Sequence, residues 1–163
     1  MILAGNDHTQ KVMTWLSTYG ASEGRTASAL LRREKASGKQ PTKPGKLLLS
    51  NSAAEGLLWS RRGLQLWFQL FANYRANTKF VDQARQAYRQ TIEPFNGFVM
   101  RNLVGVNMAL APSWQSVLAA GNLCDSPEEL EQACAALAES GKIITERLIR
   151  LHTHYGLEET DKR

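Results

Sequence analysis

The segment Ser52-Ala-Ala-Glu-Gly-Leu-Leu-Trp-Ser-Arg-Arg-Gly-Leu-Gln-Leu-Trp67 constrains the fold more than any other part of this sequence. Ser52 followed three residues later by Glu55 is a capping box, a pairing that satisfies backbone donors at a helix start. A helix is therefore predicted from Ser52 to about Arg75. Trp59, Arg62, Gly63 and Leu66 fall at i, i+3, i+4 and i+7, so an indole, a guanidinium and a glycine share one face. With no side chain at Gly63, that face holds a shallow recess with an aromatic wall and a cationic rim. Such a recess suits a polar headgroup attached to an apolar body. The same spacing also fits a core tryptophan on an amphipathic helix. Ser60, Leu64, Trp67 or Phe68, and Phe71 form a second stripe, expected to face the core.

The remaining punctuation is equally helical. A short helix is predicted over residues 1 to 17, with Val12, Trp15 and Leu16 apolar. Thr26 caps a second helix that runs to about Ser37, with Ala29, Leu30 and Leu31 inward, Arg32, Arg33, Glu34 and Lys35 outward, and Gly38 as its stop. Pro41 and Pro44 among three lysines mark residues 38 to 50 as an exposed basic loop. Further helices fit Lys79 to Ile92 and Phe95 to Leu110. The second of these is apolar over much of its surface (Phe98, Val99, Leu103, Val104, Val106, Met108), which implies burial between other helices. Pro112 ends it, and a short helical turn follows over Ser113 to Ala120. Ser126-Pro-Glu-Glu combines proline at the first helical position with a capping box, and opens a last helix running to Tyr155 and stopped by Gly156. Ile144, Leu148, Leu151 and Tyr155 mark its buried stripe.

With no run of alternating β-branched residues, the fold class is all-α, and 163 residues make a single domain. No stretch is long and apolar enough to span a bilayer and no signal core opens the chain, so a cytosolic protein is expected. Cys124 and Cys134 are the only cysteines, too few for a disulfide framework or a metal site, and are read as reduced, partly buried thiols. The net charge of +5 is spread over Arg32, Arg33, Lys35, Lys39, Lys43 and Lys46. It would draw the chain weakly to an anionic surface. No nucleic-acid-binding motif is present. His8, His152 and His154 have no nucleophile or carboxylate arranged beside them, and the last two lie two residues apart, where a helix makes them diverge. They are read as surface histidines, with no catalytic residues, cofactor or metal.

Leu-Leu-Trp-x-Arg-Arg-Gly-Leu resembles the signature helix of the glycolipid transfer protein family. Ala87-Tyr-Arg-Gln-Thr-Ile-Glu-Pro-Phe-Asn-Gly-Phe98 is similar to the family segment in which Ala-Tyr precedes Tyr-His-Gly-Trp, with Phe95, Asn96 and Phe98 in the places of Tyr, His and Trp. Met108 to Ala119 is similar to the family's Ala-Ala-Pro stretch, and His154-Tyr-Gly-Leu-Glu-Glu to the closing residues of some members.

The resemblance implies a two-layer helical sandwich that holds one sphingolipid, its headgroup at the surface and its chains in an apolar slot, moved between membranes without covalent chemistry. Trp59 would be the sugar platform for a glucosyl- or lactosylceramide. Arg62, Lys11, Asn6 and Asp7 would be further headgroup contacts, and Asn96 would meet the ceramide amide. Leu66, Ile92, Val104 and Met108 match slot-lining positions, and Phe98 would touch the bilayer in a transient peripheral contact. Asn96 can alternatively cap a helix after Pro94.

At the amino end the family's Asp, Asn and Lys fall on Ala4, His8 and Lys11 in one register, whereas in another Asn6 matches the amide but Ile2 and Thr9 replace the acid and lysine. Asp7 and Lys11 are helix-compatible at i, i+4 in either. Residues 1 to 163 then form one such domain lacking the family's first helix, either as an impaired short form or with the gap closed by self-association; oligomeric state is open. A ceramide 1-phosphate carrier, and a lipid sensor or interaction module without transfer, are the alternative functions.

Overall fold

A computed structural model describes positions 10, 11, 13, 14, 17, 40, 113, 114 and 116 and residues 26–38, 45–75, 78–109 and 126–160. Among these residues the structure is all-helical. Five α-helices follow in order: α1 (Ala27–Ala36), α2 (Ala53–Ala72), α3 (Phe80–Thr91), α4 (Phe98–Ala109) and α5 (Pro127–Tyr155), with a 3₁₀ turn over Glu93–Phe95 before α4. No described helix is long and apolar enough to cross a membrane. The chain divides into two compact units, residues 1–62 with 146–163, and residues 63–145; α2 and α5 contribute to both.

The helix starts follow the local chemistry. The Thr26 hydroxyl accepts from the Ala29 amide and opens α1. The Ser126 hydroxyl accepts from Glu129 and opens α5. Gly156, at φ +66°, closes α5 in the left-handed region that glycine enters without penalty. The Leu157 amide then donates to the His152 carbonyl at 2.9 Å and the Gly156 amide to that of Thr153 at 3.0 Å, the two bonds of a Schellman ending.

The first unit has a core of Leu31, Leu48, Ala54, Leu58 and Leu157, with Leu57, Leu151 and Tyr155 against it. Leu48 lies in the stretch expected to be an exposed basic loop. That stretch is instead tied down where described, because Gly45 pairs with Glu159 in an isolated bridge and the Gln40 side chain accepts from the Leu49 amide. In the second unit Tyr74, Leu130 and Cys134 are buried with Phe71 and Trp114 packed on them. Trp114 meets Tyr74 and Phe80 edge-on at 5.1 and 4.9 Å and donates its indole N–H to Gln83. Gly141 of α5 lies against Phe68 of α2, whose ring fills the space a Cβ would occupy. Cys134 is a free, buried thiol, as the sequence suggested; Cys124 lies outside the described residues.

Expectations of burial fail on three helices, and two of exposure fail as well. Along α4, Phe98 is 80% exposed, Val99 75% and Leu103 53%, so this helix is not enclosed on that side. On α2, Leu64 and Trp67 are exposed while Leu70 takes the buried position, and on α5 Ile144 is exposed. Glu34 and His152, both expected at the surface, are fully buried.

Candidate functional site

The start of α2 is fully hydrogen-bonded. A helix leaves its first amides without intrahelical acceptors, and here each has one. The Ser52 amide donates to the Leu49 carbonyl at 3.2 Å, and those of Ala53 and Ala54 donate to the Glu34 carboxylate at 2.8 Å each. The Glu55 amide donates to the Ser52 hydroxyl at 3.0 Å. Burial pushes the Glu34 carboxyl up, an effect opposed by the two amide bonds and by Gln40.

Glu55, Trp59 and Arg62 continue along one face. The Glu55 carboxylate accepts from the Asn51 amide at 3.3 Å and from Lys11 Nζ at 2.8 Å, so Lys11 and Glu55 form a nearly buried ion pair one turn before the tryptophan. Trp59 itself is half-buried, and the Arg62 guanidinium lies 4.8 Å from its ring centroid, a cation–π contact that fixes the indole. Arg62 was expected at a cationic rim. It is instead fully buried, donating from Nη2 to the Glu159 carbonyl at 2.8 Å and from Nη1 to the Glu159 carboxylate at 3.4 Å. Desolvation lowers its pKa to about 10 despite the nearby Glu159. Beyond Arg62, a Cβ on Gly63 would meet nothing within 4 Å, so the open space predicted there is present.

The residues after Gly156 complete this arrangement. Glu158 takes both terminal nitrogens of Arg61, one at 3.0 Å, and Glu159 also accepts from the Leu48 amide at 2.7 Å. His152 donates to or accepts from nothing charged; its Nδ1 lies 2.9 Å from the Leu148 carbonyl. Burial pushes this imidazole below its ordinary value, helped by Arg61 and opposed by the Leu148 bond and Glu158. Glu34, Glu158 and Glu159 were not among the site residues expected from the sequence. The signal for the last two is a pair of matching doublets, Arg61-Arg62 and Glu158-Glu159. For Glu34 it is the i, i+3, i+4 spacing with Leu30 and Leu31, which puts it on their buried face.

Asn96 is buried, and its Nδ2 donates to the Tyr88 hydroxyl at 2.9 Å. It ends the 3₁₀ turn, and no side-chain capping bond from it to α4 is present. Its carbonyl accepts from Arg101 Nε. Phe98, two residues on, is almost fully in solvent. Leu66, Ile92, Val104 and Met108 are each half-buried. A cleft of about 400 Å³ in the second unit is lined by other residues, among them Gln65, Phe68, Gln69, Thr91, Lys142 and Thr145. Asn6 and Asp7 lie outside the described residues. Among the described residues no cluster of His, Cys, Asp or Glu has the makings of a metal site.

Residues 3–122 match the model of the family described as Glycolipid transfer protein (GLTP). The chain belongs to the glycolipid transfer protein family. Pleckstrin homology domain-containing family A member 8 of Danio rerio is 34% identical over 71 residues, 43% of this chain and 13% of that protein. Its Mus musculus counterpart is 28% identical over 88 residues, 53% of this chain and 17% of that protein. The matched segments thus span under a fifth of these relatives. Among solved structures, the GLTP-fold of FAPP2, studied for how it selects simple glycosphingolipids, aligns with a TM-score of 0.78 at 21% identity, covering 96% of this chain and 74% of that one. Human ceramide-1-phosphate transfer protein in complex with 12:0 ceramide-1-phosphate aligns with a TM-score of 0.80 at 13% identity, over 94% and 74%. The fungal glycolipid transfer protein HET-C2 gives 0.74 at 20% identity, over 96% and 73%. The fold expected from the Trp59 helix is therefore the GLTP-fold.

Proposed function

We propose that this chain, read as one glycolipid transfer protein domain over residues 1–163, is a non-enzymatic carrier that lifts a glycosphingolipid of the glucosyl- or lactosylceramide type from one membrane and releases it at another. The observation that carries the reading is Trp59, a half-buried indole held by Arg62 beside the open space at Gly63. An aromatic plane favours an uncharged sugar, whose C–H face stacks on it, over a phosphate, which wants charge-assisted donors. Membership of the family and the FAPP2 likeness support the same class of ligand.

In this reading Arg62 acts through the indole it holds, and Lys11 acts at the headgroup, with Asn6 and Asp7 as further contacts. Asn96 serves the ceramide amide through its carboxamide. Leu66, Ile92, Val104 and Met108 line the chamber for the chains. A carrier must supply such a dry slot, since an exposed acyl chain costs on the order of 0.8 kcal/mol per CH₂. Phe98 and its neighbours on α4 make a transient peripheral contact with the bilayer, where an exposed aromatic is stable. The site of action is the cytosol and its membrane surfaces.

Transfer of fluorescent glucosylceramide from phosphatidylcholine donor vesicles to unlabelled acceptors tests the reading. The wild type is expected to move the lipid, and Trp59→Ala to lose about tenfold or more in rate, the equivalent of roughly 1.4 kcal/mol of headgroup contact. Binding without transfer would point to a sensor, and faster movement of ceramide 1-phosphate than of glucosylceramide to a phosphate carrier.

A further inference from the structure

Every described cationic or anion-receptive group around Trp59 already faces a carboxylate of the chain itself. The amino terminus of α2, where backbone amides and the helix dipole favour an anion, is filled by Glu34. Lys11, one turn before the indole, is paired with Glu55. Arg62, directly beneath it, is paired with Glu159, and its neighbour Arg61 is held by both oxygens of Glu158. Three cations thus meet three carboxylates, and a fourth carboxylate occupies the helix end. The members of these pairs are buried or nearly so, apart from Glu158, whose side chain is 29% exposed.

We propose that these internal carboxylates, Glu55 and Glu159 above all, are the selectivity device of the site: they neutralise the cations flanking Trp59 and reject anionic headgroups in favour of uncharged ones. The inference rests on the carrier reading above and names what that reading leaves open, the basis of choice between sugar and phosphate. A phosphate monoester brings close to two negative charges at neutral pH. Seating it beside Trp59 sets it against Glu55 and Glu159, or requires a buried pair to be opened, which leaves an uncompensated charge behind. A sugar meets neither penalty. The pairs span distant parts of the chain, with Lys11 and Glu55 separated by 44 residues and Arg62 and Glu159 by 97, so the neutral recess is a property of the folded unit.

The test compares ceramide 1-phosphate with glucosylceramide, each at equal mole fraction in phosphatidylcholine donor vesicles, for the wild type, Glu55→Gln, Glu159→Gln and the double variant Lys11→Met/Glu55→Gln. Glutamine at position 55 keeps a side-chain oxygen for the Asn51 amide and leaves the Ser52 cap untouched, so that variant is expected to fold; circular dichroism melting checks each one. Glu55→Gln releases Lys11, and the ratio of ceramide 1-phosphate to glucosylceramide transfer is expected to rise about fivefold, in line with a single partly buried charge contact. Removing Lys11 as well lowers the ceramide 1-phosphate rate again relative to Glu55→Gln, which a purely structural effect of Glu55 would not do. Glu159→Gln, where folded, raises the ratio in the same sense. A folded Glu55→Gln protein with an unchanged ratio overturns the inference and leaves the carrier reading standing, whereas a wild type that prefers ceramide 1-phosphate overturns both the inference and the assignment of an uncharged headgroup. A wild type that moves neither lipid overturns the inference and the carrier reading together.

Discussion

The first ten residues of α2 are mostly buried and its opening amides are all hydrogen-bonded, whereas α4 leaves Phe98, Val99, Met100 and Leu103 in solvent. At the start of α2, the Leu49 carbonyl, Glu34 and Ser52 answer the helix's open amides, and two arginines meet two glutamates from beyond α5. Along α4 no acidic residue sits in the first turn and no basic one in the last, while Phe98, Val99, Met100 and Leu103 are all at least 45% exposed. Buried polar groups carry a large cost when a partner is removed, so a network of this kind admits one arrangement and holds a recess in shape. Exposed apolar side chains contribute little to folding and are available to another apolar phase. In the proposed function the first region recognises a headgroup and the second rests against a membrane.

The comparison breaks first where a buried charge is orphaned. Glu159→Ala leaves Arg62 without its carboxylate and the Leu48 amide without its acceptor. It is expected to cost about 3 to 5 kcal/mol, read as a fall in urea midpoint. A loss near zero would mean that the pair is not formed in solution. The same kind of change on α4 behaves oppositely. Phe98→Ser is expected to alter stability by no more than about 0.5 kcal/mol. It should nonetheless weaken co-sedimentation with phosphatidylcholine vesicles by roughly tenfold, the loss of one inserted aromatic. Unchanged sedimentation would remove α4 from the membrane contact.

The smallest effect separates the two regions by pH. His152 is buried with its imidazole pushed below the ordinary value of 6.5, so between that value and its folded one the unfolded chain binds the extra proton. This contribution to stability is complete above pH 6.5 and is lost as pH falls below it. Arg61, Glu158, the Leu148 carbonyl and the Ala54 backbone are the groups that act on the ring. Melting temperatures of wild type and His152→Gln, compared at pH 7.5 and 5.5, should show the larger acid-side fall in the wild type; equal falls would show that His152 does not carry the effect.

What the sequence revealed follows the range of the interactions involved. Thr26, Ser52 and Ser126 act on amides within three residues, so the starts of α1, α2 and α5 were readable, and α3 came within one residue at each end. Glu34 serves amides 19 and 20 residues away, and Arg62 meets a glutamate 97 residues away. No local pattern encodes such a partner, so Glu34 was placed outward, Arg62 on a rim and His152 at the surface. The apolar run of α4 misled in the other direction, because apolar content reports what a helix prefers to contact and not whether the chain supplies the contact. The face carrying Trp59, Arg62 and Gly63 was legible because it depends on helical spacing alone.

The central claim is that Trp59 is the platform for an uncharged headgroup. Its most direct test is equilibrium extraction of glucosylceramide and of ceramide from the same phosphatidylcholine vesicles by wild type and Trp59→Ala, since the two lipids differ only in the sugar. The account predicts that the wild type extracts glucosylceramide about tenfold better than ceramide, a difference of roughly 1.4 kcal/mol, and that the substitution abolishes this preference while ceramide extraction is retained. A preference for glucosylceramide that survives the loss of the indole would contradict it.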